Sequence, residues 1–288
     1  METKEKYVKE LLSTDTGTEG QLLIPRKIHD VLIEDMEKTL IPRSEAAFYV
    51  GPAQVPGSSY DIDFEAENHM KVHLIAEGAE ILMDPDEYST LNVKPKKYGV
   101  AVRITKEMQE DSKWPLLERN VRKAGRRFAE NETNLVITEL EAYAANTVTG
   151  GAAITIANIT RAMQYIDDAD YTASTLLVGN EVLADLRNID TFVEANKVGN
   201  TDMLKKGFLG TIYGLKVIKF STNAAPSTTY SKYAYVYDNE QAYCIIEKRP
   251  VMVENFTLPT FDMVGAAITQ RIAVSYLRAN AICEIHTS

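Results

Sequence analysis

Histidine and cysteine are scarce in this chain. Among 288 residues there are four histidines and two cysteines, Cys244 and Cys283. No CxxC pair occurs, which excludes zinc-ribbon sites, and two cysteines do not make a disulfide scaffold. The expectation is two reduced, buried thiols, as in proteins of a reducing compartment. His69 and His73 have the spacing of a zinc-binding helix. However, "HMKVHLI" alternates like a strand, where residues four apart lie ~13 Å from one another. His29 and His286 have no partner that the sequence supplies.

Long apolar runs are missing too. No stretch approaches 18 apolar residues, so no membrane span is expected. "METKEKYVKELLS" lacks the continuous apolar core of a signal peptide. "GFLGTIYG", with Gly207, Gly210 and Gly214, is neither GxGxxG nor a P-loop, and reads as turns between strands. No GxSxG occurs, and four scattered histidines give no Ser-His-Asp set. The expectation is a protein without cofactor, metal or catalytic residues, and not an enzyme.

What is present is a globular composition: 45% apolar and 25% charged residues. Lys plus Arg is 31 and Asp plus Glu is 41, for a formal charge of −10. Contact with nucleic acid must therefore come from a local patch, since phosphate neutralisation supplies most such affinity. "RKAGRR" is the densest basic cluster: Arg122, Lys123, Arg126 and Arg127. Positions 122 and 126 share a helix face, which suits either phosphate contact or plain solvation. "KPKK", with Lys94, Lys96 and Lys97, is a basic kink that is solvated or meets an acidic neighbour. In "ITKEMQEDS", Glu107, Glu110 and Asp111 have no second ligand cluster pinned to them. They read as acids at a helix start, where the helix dipole favours negative charge.

The elements follow from periodicity. After a polar lead, Ile28, Val31, Leu32, Met36 and Leu40 mark an amphipathic helix that ends before Pro42. "FYVGPAQVPGSSYDIDF", "HMKVHLI" and "YSTLNVKPKKYGVAVRI" alternate, predicting a long two-stranded excursion. An isolated hairpin is marginal in water, so this one should rest on a partner surface. A long helix follows through "SKWPLLERNVRKAGRRFAENETNLVITELEAYAANTV". Its stripe is Leu117, Val121, Ala124, Phe128, Leu135 and Leu140, and about thirty residues make a rod of ~45 Å. From Ile154 the chain reads as α/β, with a helix at "ITRAMQYIDDA", a strand at "STLLVG" and a helix at "NEVLADLRNI" capped by Asn180. "GFLGTIYGLKVIKFSTNAA" and "KYAYVYD" carry strands. The last fifty residues return to strands at "QAYCIIEK", "PVMVENF" and "ITQRIAVSYLRANAICEI".

This order of parts resembles the HK97-fold major capsid proteins of tailed viruses. "ITKEMQEDS" is similar to their strand-to-helix junction, "STLLVGNEVLADLRNI" to the strand–helix step of their axial domain, and "GFLGTIYGLKVIKFSTNAAP" with "AYVYDNEQAYCIIEK" to the passage that follows. The likeness spans residues 25 to 288, and its specificity lies in the order. It implies an α+β, HK97-like chain in four parts. Residues 1–45 would be an N-terminal arm with a short helix, and 46–102 an extended β-hairpin loop lying over a neighbouring subunit. Residues 103–150 with 240–288 would form a peripheral domain carrying the spine helix, and 151–239 an α/β axial domain.

The implied function is a virion shell protein that self-assembles, through pentamers and hexamers, into an icosahedral container for double-stranded DNA. Assembly would take place in the host cytoplasm, with no membrane. Arg122, Lys123, Arg126 and Arg127 would face the DNA, while Lys94, Lys96, Lys97 and Tyr60 would serve contacts of the extended loop. Many family members carry a cleaved scaffolding segment for which this chain has no room. Scaffolding would then be a separate protein, as would the portal and any decoration protein. Nothing pairs Lys94, Lys96 or Lys97 with Asn255, so no covalent crosslink is expected. The rival implied by the same fold is an encapsulin, a shell around cargo enzymes, with Ile28, Val31 and Leu32 lining a cargo groove.

Overall fold

The computed structural model describes residues 43–65, 72–75, 77, 88–111, 116–189, 211–221 and 225–287. The helix expected around 28–40, with His29, and also His69, Gly207 and Gly210 lie outside the described residues.

Twelve strands and four helices organise the described chain around two sheets and a separate hairpin. The first sheet has the order β1-β10-β11-β4: β1 is Phe48–Val50, β4 Lys96–Thr105, β10 Tyr243–Leu258 and β11 Met263–Tyr276. The second has six strands in the order β5-β12-β9-β6-β8-β7. These are β5 Asn146–Thr149, β6 Thr175–Val178, β7 Thr211–Ile212, β8 Leu215–Lys219, β9 Tyr233–Tyr237 and β12 Ile282–His286. The hairpin is β2 Tyr60–Glu65 against β3 Tyr88–Val93, antiparallel. The helices are α1 Lys106–Asp111, α2 Leu116–Tyr143, α3 Ile156–Asp167 and α4 Asn180–Asn188.

The spine helix α2 has 28 residues, a rod of ~42 Å. Its buried stripe divides in two. Val121, Ala124, Phe128 and Ala129 pack on Val251, Ala266 and Ile268 of the four-stranded sheet. Val136, Ile137 and Leu140 enter a core shared by both sheets, with Tyr235 and Tyr237 from one and Ile245, Ile272 and Val274 from the other. The helix therefore bridges the two sheets. Helices α3 and α4 cover the remaining face of the six-stranded sheet through Ile159, Ala162, Ile166, Val182 and Leu186.

Several sequence expectations are corrected by long-range pairing. The spine helix does not run through "AANTV": it ends at Tyr143, and Asn146–Thr149 becomes a strand parallel to β12. The β-branched Thr147, Val148 and Thr149 favour a pleated surface once a partner strand offers one. "HMKVHLI" is not a strand where it is described. Residues 72–75 belong to no strand, and Val72 and Leu74 stand fully in solvent, at 103% and 104% exposure. Alternation with no surface to bury against does not make a strand.

The hairpin instead pairs Tyr60 with Val93 and Glu65 with Tyr88. Pro95, which has no N–H for a ladder, breaks "YSTLNVKPKKYGVAVRI" so that β4 joins the main sheet. "QAYCIIEK" and "PVMVENF" form one strand, with irregular register around Pro250. The last strand divides at 277–281, and β12 crosses to the six-stranded sheet.

Asn180 is the first residue of α4 and not its cap; Gly179 occupies that place. A Cβ at Gly179 would sit 2.4 Å from the carbonyl oxygen of Ser231, a backbone atom that cannot step aside. At the tip of β7–β8, Tyr213 and Gly214 both have positive φ, 50° and 85°. Two such residues make the tight turn that suits paired strands, and this accounts for the last glycine of "GFLGTIYG".

Candidate assembly surfaces

The exit of the N-terminal segment is fixed by ions. Arg43 donates from Nε and Nη2 to the two carboxylate oxygens of Glu132 on the spine helix, at 2.8 and 2.9 Å. Its Nη1 reaches Glu247 of β10 at 3.2 Å. The Tyr49 hydroxyl and the Gln270 amide, the latter at 2.9 Å, also donate to Glu247. Burial works against the Arg43 charge, but the Glu132 hydrogen bond and the charges of Glu132 and Glu247 outweigh it and hold the guanidinium protonated. Burial, followed by Glu247, pushes the Tyr49 phenol up. Two residues on, Glu45 accepts from Thr175 of β6 at 3.1 Å and from Lys216 of β8. Arg43 thus grips the spine helix and the four-stranded sheet, while Glu45 grips the six-stranded sheet. The tripeptide "RSE" gave no signal of this, because the partners that tie it to the helix and the two sheets are distant in sequence.

Among the described residues the hairpin rests on the body through its base and through Phe64, whose ring lies beneath the Arg278 guanidinium at 4.8 Å. Ile62 and Val93 join Val50, Val55, Cys244, Ile246 and Ala273 in a small core, with Tyr60 and Leu91 packed against it. Tyr60, expected at a subunit contact, therefore serves this base and is half-buried. Asp61 and Asp63 point outward, accepting from Asn92 and Thr90 across the ladder. Tyr88 at the far end is 67% exposed.

The other predicted residues separate into two surfaces. Arg122, Lys123, Arg126 and Arg127 are all exposed on the side of α2 away from the sheet, and Arg127 pairs with Glu130 at 2.7 Å. Lys94, Lys96 and Lys97 are exposed where β3 passes into β4. Lys97 lies opposite Arg271, and Arg271 opposite Arg249, so three cations form one row across three strands. Sequence reasoning missed Arg249 and Arg271. Only the register brings them to Lys97.

Glu107, Glu110 and Asp111 are exposed in the short α1, but only Glu107 lies in its first turn; Glu110 and Asp111 are its last two residues, so the helix-start expectation holds for Glu107 alone. His73 is exposed, and His286 stacks on Tyr233 with ring centroids 4.1 Å apart, its Nε2 2.5 Å from Glu284. Among the described residues, no group of three or more His, Cys, Asp or Glu side chains is placed to hold a metal ion. No described helix is long and apolar enough to cross a membrane. Both cysteines are free and buried, and burial pushes each thiol up to about 12.

Apolar side chains also crowd one end of the four-stranded sheet: Leu258 and Phe261 at the β10–β11 tip are exposed, as is Met108 of α1, which follows β4. At that tip Lys106 pairs with Asp262 at 2.6 Å.

Comparison with known proteins agrees with this anatomy. Residues 87–280 match the family model described as phage capsid protein. No curated protein matches in sequence, whereas solved structures do. The mature capsid of bacteriophage PhiM1 is 12% identical, with a TM-score of 0.65 and 87% of each chain covered. The capsid of cyanophage P-SCSP1u is 10% identical at 0.65, covering 87% of this chain and 88% of that one. A virus-like particle from Pyrococcus furiosus is 13% identical at 0.57, covering 91% and 98%. At such identities the likeness carries the fold, which is HK97-like in its hairpin, spine helix and paired sheets. With two thirds of its length inside the family model, the chain belongs to the phage capsid protein family.

Proposed function

We propose that this chain is the major capsid protein of a tailed virus, assembled in the host cytoplasm through pentamers and hexamers into an icosahedral shell around double-stranded DNA. The observation that carries the reading is the hairpin. Among the described residues its base is packed and the Phe64 ring lies beneath Arg278, whereas Tyr88, Val72 and Leu74 are exposed. A ribbon this long, standing alone, is marginal in water, and neighbouring copies supply the missing surface. Exposed Leu258, Phe261 and Met108 offer a second contact.

In this reading residues 1–45 are the arm, 46–102 the extended loop, 103–150 with 240–288 the peripheral part, and 151–239 the axial part. The axial part borrows β5 and β12 to complete its sheet. The spine cations Arg122, Lys123, Arg126 and Arg127 face the lumen and touch phosphate without reading sequence. Separate portal, scaffolding and decoration proteins complete the particle.

A cargo-enclosing shell is the second reading, favoured by the likeness to the Pyrococcus furiosus particle, which extends over 98% of that chain. The experiment is negative-stain electron microscopy of the purified chain with light scattering for mass, followed by the nucleic-acid content of the particles. Closed shells or capsomer rings are expected, with DNA protected in particles from an infected host. Shells that hold protein and no DNA favour the second reading. A chain that stays monomeric alone, and also when co-expressed with the products of neighbouring genes, overturns both.

A further inference from the structure

We propose that Glu284 and His286 of β12, with Glu141 of the spine helix and the hydroxyls of Tyr230 and Tyr235, form a proton-operated catch between that helix and the six-stranded sheet. A proton on Glu284 keeps the catch closed, and its loss as the pH rises loosens the joint. The inference goes beyond the shell reading and holds for the chain whether or not it builds a shell.

The catch sits where the two sheets meet. β12 receives the chain from β11 of the four-stranded sheet, and it pairs with β5 on one side and β9 on the other. β5 begins at Asn146, just past the spine helix, which ends at Tyr143. What holds β12 to its neighbours therefore also holds the end of the helix.

The side chains of β12 divide by face. Cys283 and Ile285 join the apolar core beneath α3, so Glu284 and His286 point to the opposite side of the strand. Glu284 is 4% exposed. It lies opposite Tyr235 of β9 and Thr147 of β5. His286 lies opposite Thr149 and Tyr233, and its ring stacks on the latter. From the spine helix comes the charge of Glu141, which accepts from the Tyr230 hydroxyl. Lys232, in the same 3-10 turn as Tyr230, meets the strand end through its carbonyl, which accepts from the amide and hydroxyl of Thr287.

The cluster is short of hydrogen bonds among the described residues. Glu284 Oε1 and His286 Nε2 lie 2.5 Å apart but complete no hydrogen bond, and the buried Tyr235 hydroxyl has none. Two carboxylates thus face one imidazole, with Glu284 shut off from water. Burial and a neighbouring negative charge both favour the protonated form of a carboxyl. Burial acts first on Glu284, His286 opposes it, and the Glu141 charge adds to it, so the carboxyl is held above the ordinary glutamate range. The folded chain then binds this proton more tightly than the unfolded chain does. Stability from the catch is full in acid and falls as the pH rises from the ordinary glutamate value through the raised one.

The test is the pH profile of unfolding for the full chain, kept below its assembly concentration and titrated with urea under circular dichroism. Glu284→Gln keeps the shape of the carboxyl and removes its charge. Between about pH 5 and about pH 8 the unfolding constant of the wild type should rise ~10-fold or more relative to this variant, since one pH unit in a proton's midpoint is a tenfold change. Glu141→Gln, at a half-buried position, removes the repelling charge and keeps an acceptor for Tyr230. Its profile should fall between the other two. Amide exchange at β5 and β12, corrected for its intrinsic pH dependence, should quicken over the same range in the wild type and not in Glu284→Gln.

Parallel profiles for the wild type and Glu284→Gln overturn the inference, as does exchange that quickens equally in both. So does a wild type that gains on the variant as the pH rises. If Glu284→Gln does not fold, Glu141→Gln decides: a profile parallel to the wild type overturns the catch, and a flatter one supports it.

Discussion

Glu132 and Glu247 have side chains only 3% and 4% exposed, and Arg43 is the cation between them. It is the countercharge that these two deeply placed carboxylates share. Removing one partner of a buried ion pair leaves an uncompensated charge, at a cost of ~3–5 kcal/mol. Arg43→Ala should therefore lower the unfolding free energy of the unassembled chain by about that amount in urea titration. Arg43→Lys should recover only part of the loss, since an ammonium cannot reproduce the two parallel bonds to Glu132. A change below ~1 kcal/mol for Arg43→Ala would mean that water reaches the carboxylates and that the network is not what anchors the chain entry. The consequence reaches beyond stability. Arg43 and Glu45 hold residues on the two different sheets, so a weakened anchor also loosens the contact between the chain entry and both sheets.

At the level of elements, the described hairpin has a base buried in the monomer and, further out, exposed Val72, Leu74 and Tyr88. Excising all of 50–95 would strip Val50, Val55, Ile62 and Val93 from their core and expose Cys244, Ile246 and Ala273. A narrower cut is cleaner. Because Glu65 lies opposite Tyr88, residues 66–87 can be replaced by Asn-Gly, the dipeptide preferred in two-residue hairpin turns. This chain should keep its melting temperature within a few degrees and lose the ability to form shells, as judged by scanning calorimetry and electron microscopy. Shells of normal size from the shortened chain would remove the hairpin from assembly; cooperative unfolding lost with it would make the outer ribbon part of the monomer's core.

The sequence was most legible where structure is local. The spine helix, α3, α4, β6 and β9 all announce themselves through periodicity within a dozen residues. The errors fall where pairing is remote. "NTVT" continues a helical stretch and becomes a strand only because β12 lies beside it. Lys97 was visible as part of a basic kink, but Arg249 and Arg271 became its neighbours only through the register of a sheet closed more than a hundred residues later. The same holds for Arg43: a lone arginine after a proline has no local pattern that names Glu132 or Glu247.

For the whole molecule, charge is sorted by surface and not spread evenly. With −8 confined to residues 60–93, which contain nine Asp or Glu and one lysine, the remainder of the chain is near neutrality, and its two basic surfaces lie on opposite sides of one sheet. One is the row Arg249, Arg271 and Lys97; the other is the solvent side of the spine helix. In the proposed shell the spine-helix side is the one that faces DNA. Replacing Arg122, Lys123, Arg126 and Arg127 with glutamine should leave assembly intact, because the buried stripe of α2 lies on the opposite side of the helix. Shells dissociated and reformed around short duplex DNA should then retain less nuclease-protected DNA than the wild type at low salt. The dependence of retention on salt should also flatten, since each lost phosphate contact lowers the slope of log affinity against log salt by about 0.9. Raising the salt should bring variant and wild type together, because screening removes what the mutation removes. Equal retention at every salt concentration would place the DNA-facing charge elsewhere and turn this helix face toward the outside of the shell.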